Sequence, residues 1–107
     1  MKAMALKQYG TADDLALVEL PDPKVAPSEG LIRVKAAGVN PVDWKLAAGG
    51  LDAIMEADFP LVPGWDVAGV VEAVGPDAHE YRVGDKVYGY LRKDWAKNGT
   101  YAELVSA

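Results

Sequence analysis

Apolar and polar positions alternate along much of this chain with the period of a β-strand. Between Leu31 and Ala37 the apolar residues Ile32, Val34 and Ala36 occupy every second position, and basic residues stand between them. Successive side chains of an extended chain point to opposite faces, so this pattern predicts a strand with one face on a core. A second run, Trp65 to Val74, is rich in valine and is the most strand-like segment of the chain.

Shorter apolar runs predict further strands. Met1 to Gln8 and Leu15 to Leu20 flank a turn that contains Gly and Asp, which is typical of an opening hairpin. Val87 to Leu91 and Thr100 to Val105 follow a polar turn region, Pro76 to Arg82. Small all-β units hide their strand edges by closing on themselves. About six short strands therefore predict a mainly β fold, either a partly open barrel or a strongly coiled sheet.

One segment has the pattern of a short helix instead. Asn40 is a good N-cap, Pro41 suits the first helical position, and Asp43 is favourable near the positive end of the helix dipole. Gly49 and Gly50 then predict the helix end after about two turns. The next segment, Leu51 to Phe59, is compatible with either a loop or one helical turn.

Composition narrows the classes of function. The chain has 107 residues, the size of one domain, and a formal net charge of -5, which disfavours a nucleic-acid partner. No segment is apolar over the roughly 18 residues of a membrane span, and the N-terminus lacks a secretory signal, so we expect a cytoplasmic protein without membrane contact. The absence of cysteine excludes disulfides, thiolate zinc sites and cysteine nucleophiles.

Four motifs in a fixed order carry a family resemblance. They are Gly38-Val39-Asn40-Pro41-Val42-Asp43, the run from Pro63 to Gly75, Val83-Gly84-Asp85-Lys86-Val87, and Gly99-Thr100-Tyr101-Ala102-Glu103. This order resembles the GroES-like N-terminal domain of medium-chain dehydrogenases/reductases. Within that superfamily it is similar to the zinc-independent quinone oxidoreductase (zeta-crystallin-like) and enone reductase branch. The resemblance implies a GroES-like, partly open β-barrel with one or two short helices.

The resemblance also defines a domain organisation. Residues 1–107 correspond to the GroES-like N-terminal domain, which in this superfamily precedes a Rossmann cofactor domain. The Gly-rich fingerprint of a Rossmann unit does not occur in the chain. We therefore expect the isolated chain to bind NADPH weakly and to show negligible turnover.

The motif positions that hold zinc in other members carry different residues here. Zinc-dependent members have Cys where this chain has Asn40, His where it has Trp65, and Glu where it has Asp66. A catalytic zinc takes three protein ligands from His, Cys, Asp or Glu. Only Asp66 qualifies, so we expect no metal site.

Without a Lewis acid, the chemistry that the resemblance implies is conjugate reduction of a quinone or an α,β-unsaturated carbonyl by hydride from NADPH. The resemblance also implies that Asn40 and the following helix lie beside the nicotinamide. Asn40 and Lys45 are then the candidate catalytic residues. The candidate cofactor contacts are Asn40, Pro41, Asp43 and Trp44, and the candidate substrate cleft consists of Trp65, Asp66, Tyr90 and Trp95.

Each assignment has a simpler structural alternative. Asn40 serves as an N-cap in any helix of this pattern, Asp43 as a partner of the helix dipole, and Lys45 as a solvated helix residue. Trp65 is compatible with core packing and Asp66 with a structural hydrogen-bond anchor. The aromatic residues around the charged loop from Arg92 to Asn98 either form a cleft lip or cover core.

Two other classes of function remain open. GroES-like folds also occur as co-chaperonin subunits, so a binding or scaffold module without catalysis is the main alternative. We also expect an apolar surface that lets the isolated chain self-associate. A lyase or another non-redox enzyme on the same scaffold is the third class.

Overall fold

The computed structural model describes every residue from Met1 to Ala107, and β-strands dominate it. In chain order the elements are β1 (Lys2–Ala5), β2 (Ala16–Glu19), β3 (Gly30–Gly38), α1 (Pro41–Ala47), β4 (Glu56–Val62), β5 (Asp66–Val74), β6 (Lys86–Tyr90), β7 (Trp95–Asn98) and β8 (Leu104–Ser106). A single 3-10 turn, Ala12–Asp14, interrupts the opening hairpin. No helix is long and apolar enough to span a membrane.

The largest sheet has four antiparallel strands in the order β6-β5-β3-β8. β5 runs through its centre, with Val67 opposite Ala37 on β3 and opposite Gly89 on β6. The pairing of β3 with β5 shifts register between Val34 and Ala36. This irregularity interrupts the strict alternation expected for β3, and Ala36 is exposed where the pattern predicts an inward residue.

Two smaller sheets complete the fold. β1 and β2 form the expected antiparallel hairpin, and β4 pairs with β7 in parallel. Isolated bridges join Ala3 to Ala102 and Leu6 to Leu61, so the hairpin contacts both the C-terminal segment and β4. The mainly β fold is confirmed, and the three sheets are not closed into a barrel.

Helix α1 begins and ends where its capping residues predict. Asn40 has extended backbone angles (φ -129, ψ 158), and Pro41 occupies the first helical position. After α1, Gly49 adopts a φ of 83, in the left-handed region that favours glycine. The helix therefore has a fixed start, and that start lies directly after the end of β3.

Two predictions about chain path are wrong in detail, and the structure defines a third segment that the sequence left open. The ambiguous segment is a series of turns up to Ile54, followed by β4. The charged segment predicted as a loop contains β7, and the last strand begins at Leu104 instead of Thr100. β7 was missed because its partner β4 is more than thirty residues away, and its polar sequence carries no strand alternation.

The core consists of three adjoining clusters, not one central layer. The largest contains Leu6, Leu46, Ala47, Met55, Leu61, Trp65 and Ala96 and joins α1 to β4 and β7. A second cluster contains Ala3, Ala5 and Val62, and a third contains Ile32, Val67 and Val105. The first cluster anchors the inward face of α1 and so fixes the residues at its N-terminus.

Candidate functional site

A hydrogen bond between two of the predicted site residues lies at the junction of β3, α1 and β5. The Nδ2 of Asn40 donates to Oδ2 of Asp66 over 2.7 Å. Asp66 is the Cα partner of Gly38, two residues before Asn40 in the chain. A Cβ atom at Gly38 would lie 2.8 Å from Oδ2 of Asp66, so glycine is required for this close approach. The sheet register thus brings the two motif positions into contact.

Asp43 stands behind this pair as a nearly buried carboxylate. It is 6% exposed, and its Oδ2 accepts the backbone N–H of Asn40 over 2.8 Å and the hydroxyl of Tyr101 over 2.6 Å. The three hydrogen bonds are connected: the Tyr101 hydroxyl and the Asn40 backbone N–H both donate to Asp43, and the Asn40 side chain donates to Asp66. This network, called the Asn40 network below, links the C-terminal segment to α1 and β5.

Tyr101 enters the network as a neutral hydroxyl. Burial raises its pKa above the ordinary tyrosine value, and the hydrogen bond to the Asp43 carboxylate raises the pKa further. Both effects disfavour the phenolate, so the hydroxyl stays a donor at neutral pH. Sequence reasoning did not single out Tyr101, although it lies within the last of the four motifs.

Trp65 lies mostly inside the core and contacts one aromatic ring and one cation, those of Tyr90 and Arg92. Its side chain belongs to the largest core cluster and is 8% exposed. The ring of Tyr90 meets it edge to face with centroids 5.9 Å apart, and the guanidinium of Arg92 lies 5.6 Å from its centroid. Core packing therefore explains the position of Trp65, while Tyr90 provides the solvent-accessible part of this aromatic pair.

The remaining predicted residues lie around this centre and are accessible. Trp44 is 59% exposed, Tyr90 63% and Trp95 55%. The ammonium of Lys45 lies 5.7 Å from the centroid of the neighbouring Trp44 ring, on the exposed side of α1. Trp95 lies on β7 opposite Glu56 and lines a small cavity together with Trp65.

The donor set at the motif positions does not suit zinc. No group of three His, Cys, Asp or Glu side chains is arranged to hold a metal ion. Asn40 offers an amide, Trp65 an indole in the core, and Asp66 the only carboxylate at the three positions. His79, the only histidine, is exposed in the turn region after β5.

A separate apolar groove lies on the other face of the large sheet. It has a volume of about 420 Å³, its floor includes Val67, Val71 and Val87, and His79 lies at its rim. Val67 follows Asp66 along β5, and successive side chains of a strand point to opposite faces. The groove is therefore separated from the Asn40 network by the sheet, and its two lining carboxylates, Asp77 and Glu80, belong to the turn region after β5.

Comparisons with known proteins agree with the fold and with the motifs. The chain is 37% identical over 110 residues to "Quinone-oxidoreductase homolog, chloroplastic" from Spinacia oleracea, with 100% of the chain covered. It is 42% identical over 89 residues to "NADPH-dependent alkenal/one oxidoreductase, chloroplastic" from Arabidopsis thaliana, with 82% covered. The chain spans 32% and 23% of the lengths of these two relatives.

A solved structure and a family match give the same result. The quinone oxidoreductase from Coxiella burnetii superposes on the whole chain with a TM-score of 0.85 and 33% identity, and the chain covers 34% of it. Residues 26–107 match the family described as alcohol dehydrogenase GroES-like domain. The expected resemblance is confirmed, and the chain belongs to the alcohol dehydrogenase GroES-like domain family.

Proposed function

We propose that this chain is the substrate-binding and catalytic domain of a zinc-independent, NADPH-dependent oxidoreductase that reduces quinones or α,β-unsaturated carbonyl compounds. The observation that carries the proposal is the hydrogen bond between Asn40 and Asp66. By resemblance, these two residues occupy positions that carry Cys and Glu in zinc-dependent members. An amide and a carboxylate are hydrogen-bonding groups, not soft metal ligands. Similarity to a quinone oxidoreductase homolog and to an NADPH-dependent alkenal/one oxidoreductase supports the substrate class.

The residues at the start of α1 fit the nicotinamide end of the cofactor. A nicotinamide presents a flat ring and a carboxamide, which an aromatic side chain and an amide side chain recognise. Trp44 offers an exposed ring, and the Asn40 amide is oriented by its bond to Asp66. Bound NADPH supplies a hydride to the conjugated system. The chain's own residues orient the ligands and stabilise charge on the substrate oxygen.

Each proposed residue has a separate task. Asn40 is the central polar group, and Pro41 fixes the start of the helix that carries it. Lys45 contributes positive potential beside Trp44. Asp43 acts through Asn40, because its carboxylate is nearly buried and already accepts two hydrogen bonds. Tyr90 and Trp95 provide the exposed aromatic surface of the cleft.

A chimera tests the proposed function. The chain is joined at Ala107 to the remainder of the quinone oxidoreductase from Coxiella burnetii, and NADPH oxidation is followed with duroquinone and 2-cyclohexen-1-one. We expect NADPH oxidation that depends on one of these acceptors. Asn40→Ala is expected to lower kcat by at least about tenfold, because it removes a preorganised polar group.

Two controls make the result interpretable. Lys86→Ala, on the exposed side of β6, is expected to leave kcat unchanged. The isolated chain is expected to bind NADPH weakly in a cofactor-fluorescence titration, because it contains no Gly-rich phosphate cradle. A chimera that folds but oxidises NADPH with neither acceptor contradicts the proposed function. Tight NADPH binding by the isolated chain contradicts only the expectation of weak binding.

A further inference from the structure

A cation at the edge of the candidate site packs against an aromatic ring. The guanidinium carbon of Arg92 lies 5.6 Å from the centroid of the Trp65 ring. Trp65 belongs to the core and is 8% exposed, so its ring cannot swing away. Cation–π attraction of this kind is worth about 0.5–2 kcal/mol and restrains the guanidinium. Arg92 is therefore restrained beside the Trp65 ring.

The hydrogen-bond donors of Arg92 are free. None of the four ion pairs of the chain includes Arg92, whereas Arg33 pairs with Glu72 through two nitrogen atoms. An aromatic face attracts the charge of a guanidinium but leaves its in-plane N–H groups available. Arg92 thus presents a planar set of donors without an acceptor from the chain.

The path of the chain brings Arg92 to the same side as the polar centre of the site. Leu91 N–H donates to the Trp65 carbonyl over 2.6 Å, so extended pairing continues past the end of β6. Tyr90 and Arg92 are two residues apart and share a face, about 7 Å from each other along the strand. Tyr90 is the Cα partner of Asp66. Asp66 and Tyr90 therefore lie side by side on one face of the sheet, and Arg92 follows Tyr90 on that face.

These neighbours define the chemical class of ligand. The Asp66 carboxylate on the same side repels a full anion, whereas a neutral carbonyl oxygen carries only a partial charge. The Tyr90 ring, which is 63% exposed, offers a flat surface for a planar conjugated molecule. A planar guanidinium donates well to an oxygen that lies in its own plane.

We infer that Arg92 binds the carbonyl oxygen of a neutral, planar, conjugated ligand that rests against Tyr90. This inference rests on the proposed function, because it names the residue that holds the substrate oxygen. Lys45, the cation singled out from the sequence, lies beside the exposed Trp44 ring instead. Arg92 is the substrate-binding cation of the cleft.

A binding experiment on the chain itself tests the inference without any turnover. The nitrogen-15-labelled chain is titrated with 2-cyclohexen-1-one, and the side-chain N–H resonances of Arg92 and Trp65 are followed by NMR. Both are expected to shift saturably. Arg92→Met is expected to weaken binding about tenfold, the loss of a charge-assisted hydrogen bond. Arg92→Lys keeps the charge but not the planar donors, and is expected to weaken binding about threefold.

Matched controls separate recognition of the oxygen from general effects. Arg82→Met removes an exposed arginine in the turn before β6 and is expected to leave binding unchanged. Cyclohexene, which has no oxygen, is expected to bind the wild type and Arg92→Met equally. A dispersed Trp65 indole resonance in each variant verifies that the core is intact.

The outcomes distinguish this inference from the proposed function. Equal affinity of the wild type and Arg92→Met for 2-cyclohexen-1-one, with shifts at Asn40 and Tyr90, overturns the role of Arg92 and leaves the proposed function standing. Shifts confined to the groove around His79, or no shifts at any concentration the ligand's solubility allows, overturn both.

Discussion

Asp43 is a nearly buried carboxylate, and two donors make its burial tolerable. Burying an ionised group without partners is costly, whereas hydrogen bonds to the charged form offset the lost hydration. The Asn40 N–H and the Tyr101 hydroxyl both reach the same oxygen, over 2.8 and 2.6 Å. A contact of this type is worth about 1.5–3 kcal/mol when one partner is charged. Asp43 therefore fixes the backbone of Asn40 through its hydrogen bonds.

Tyr101→Phe tests this role at the level of one hydroxyl. We expect a loss of about 1–2 kcal/mol in the free energy of unfolding near neutral pH, measured by urea denaturation. The raised pKa of Tyr101 also predicts how this loss of stability depends on pH. The Tyr101 hydroxyl contributes its full stabilisation at pH values below about 10, the pKa of tyrosine in the unfolded chain. This stabilisation is lost as the pH rises through the higher pKa of Tyr101 in the folded chain. The difference between wild type and variant should therefore shrink above about pH 10.

Comparing the wild type with Tyr101→Phe cancels the effects of other groups that titrate at alkaline pH. The pKa values of Tyr9 and of the N-terminal amine are also raised, by hydrogen bonds to Asp52 and Asp22 respectively, and both groups are present in wild type and variant. A stability difference that stays constant up to strongly alkaline pH would show that the Tyr101 hydroxyl does not contribute through Asp43.

The close approach of two strands decides the position of the polar pair. β3 and β5 lie side by side along their whole length, and the last pair in the register is Gly38 with Asp66. α1 then starts three residues after Gly38, and the side chain of Asn40 at its N-cap reaches Asp66. Helix capping and sheet register act at the same point, and both depend on the absence of a side chain at position 38.

Gly38→Ala is expected to disturb this junction. A Cβ atom there would lie 2.8 Å from both Cβ and Oδ2 of Asp66, which forces a shift of the carboxylate. Overpacking of this kind costs about 1–3 kcal/mol, measured by thermal or urea unfolding. The side-chain NH₂ resonances of Asn40 should move toward the values of a solvated amide, because the bond to Asp66 is strained.

Gly89→Ala is the matched control on β6. A Cβ atom at Gly89 would meet only Cδ2 of Leu91, at 3.9 Å, which is an ordinary contact. We expect a change within about 0.5 kcal/mol. Equal effects of the two substitutions would contradict a special requirement for glycine at position 38.

On the scale of the whole molecule, some of the exposed aromatic and apolar residues lie near the candidate site. Val39, Trp44 and Tyr90 are 81%, 59% and 63% exposed, and all three lie next to the Asn40 network or its strand partners. Exposed apolar surface of this kind marks ligand grooves and protein contacts. The sheets are open, and β6 is an edge strand of the largest one. Both features favour association through this side.

We expect the isolated chain to form a weak, concentration-dependent dimer. Sedimentation velocity at increasing concentration should show this, and the double substitution Trp44→Ser and Tyr90→Ser should weaken it about tenfold or more. Tyr81→Ser is the control, because Tyr81 is 54% exposed but lies in the turn region beside the opposite groove. A stable ring of defined size would instead favour a scaffold function.

The sequence alone identified most strands, the helix and the residues at its start. Alternation predicted β3 and β5, and capping chemistry placed Asn40, Pro41 and the closing glycines correctly, because these signals are local. The four motifs were sufficient to assign the family. The donor chemistry at the zinc positions also follows from the sequence alone, since residue identity does not depend on the fold.

Tertiary structure alone decided which of these residues touch one another. Asp43 and Tyr101 are 58 positions apart, and Asn40 and Asp66 are 26 apart. Such contacts depend on strand register and on the parallel pairing of β4 with β7, which no local pattern specifies. For the same reason, the sequence does not distinguish Arg92 from other charged residues. Its contact with the Trp65 ring is visible only in the tertiary structure. Local patterns specify local structure, whereas burial and partners are set by segments distant in the chain.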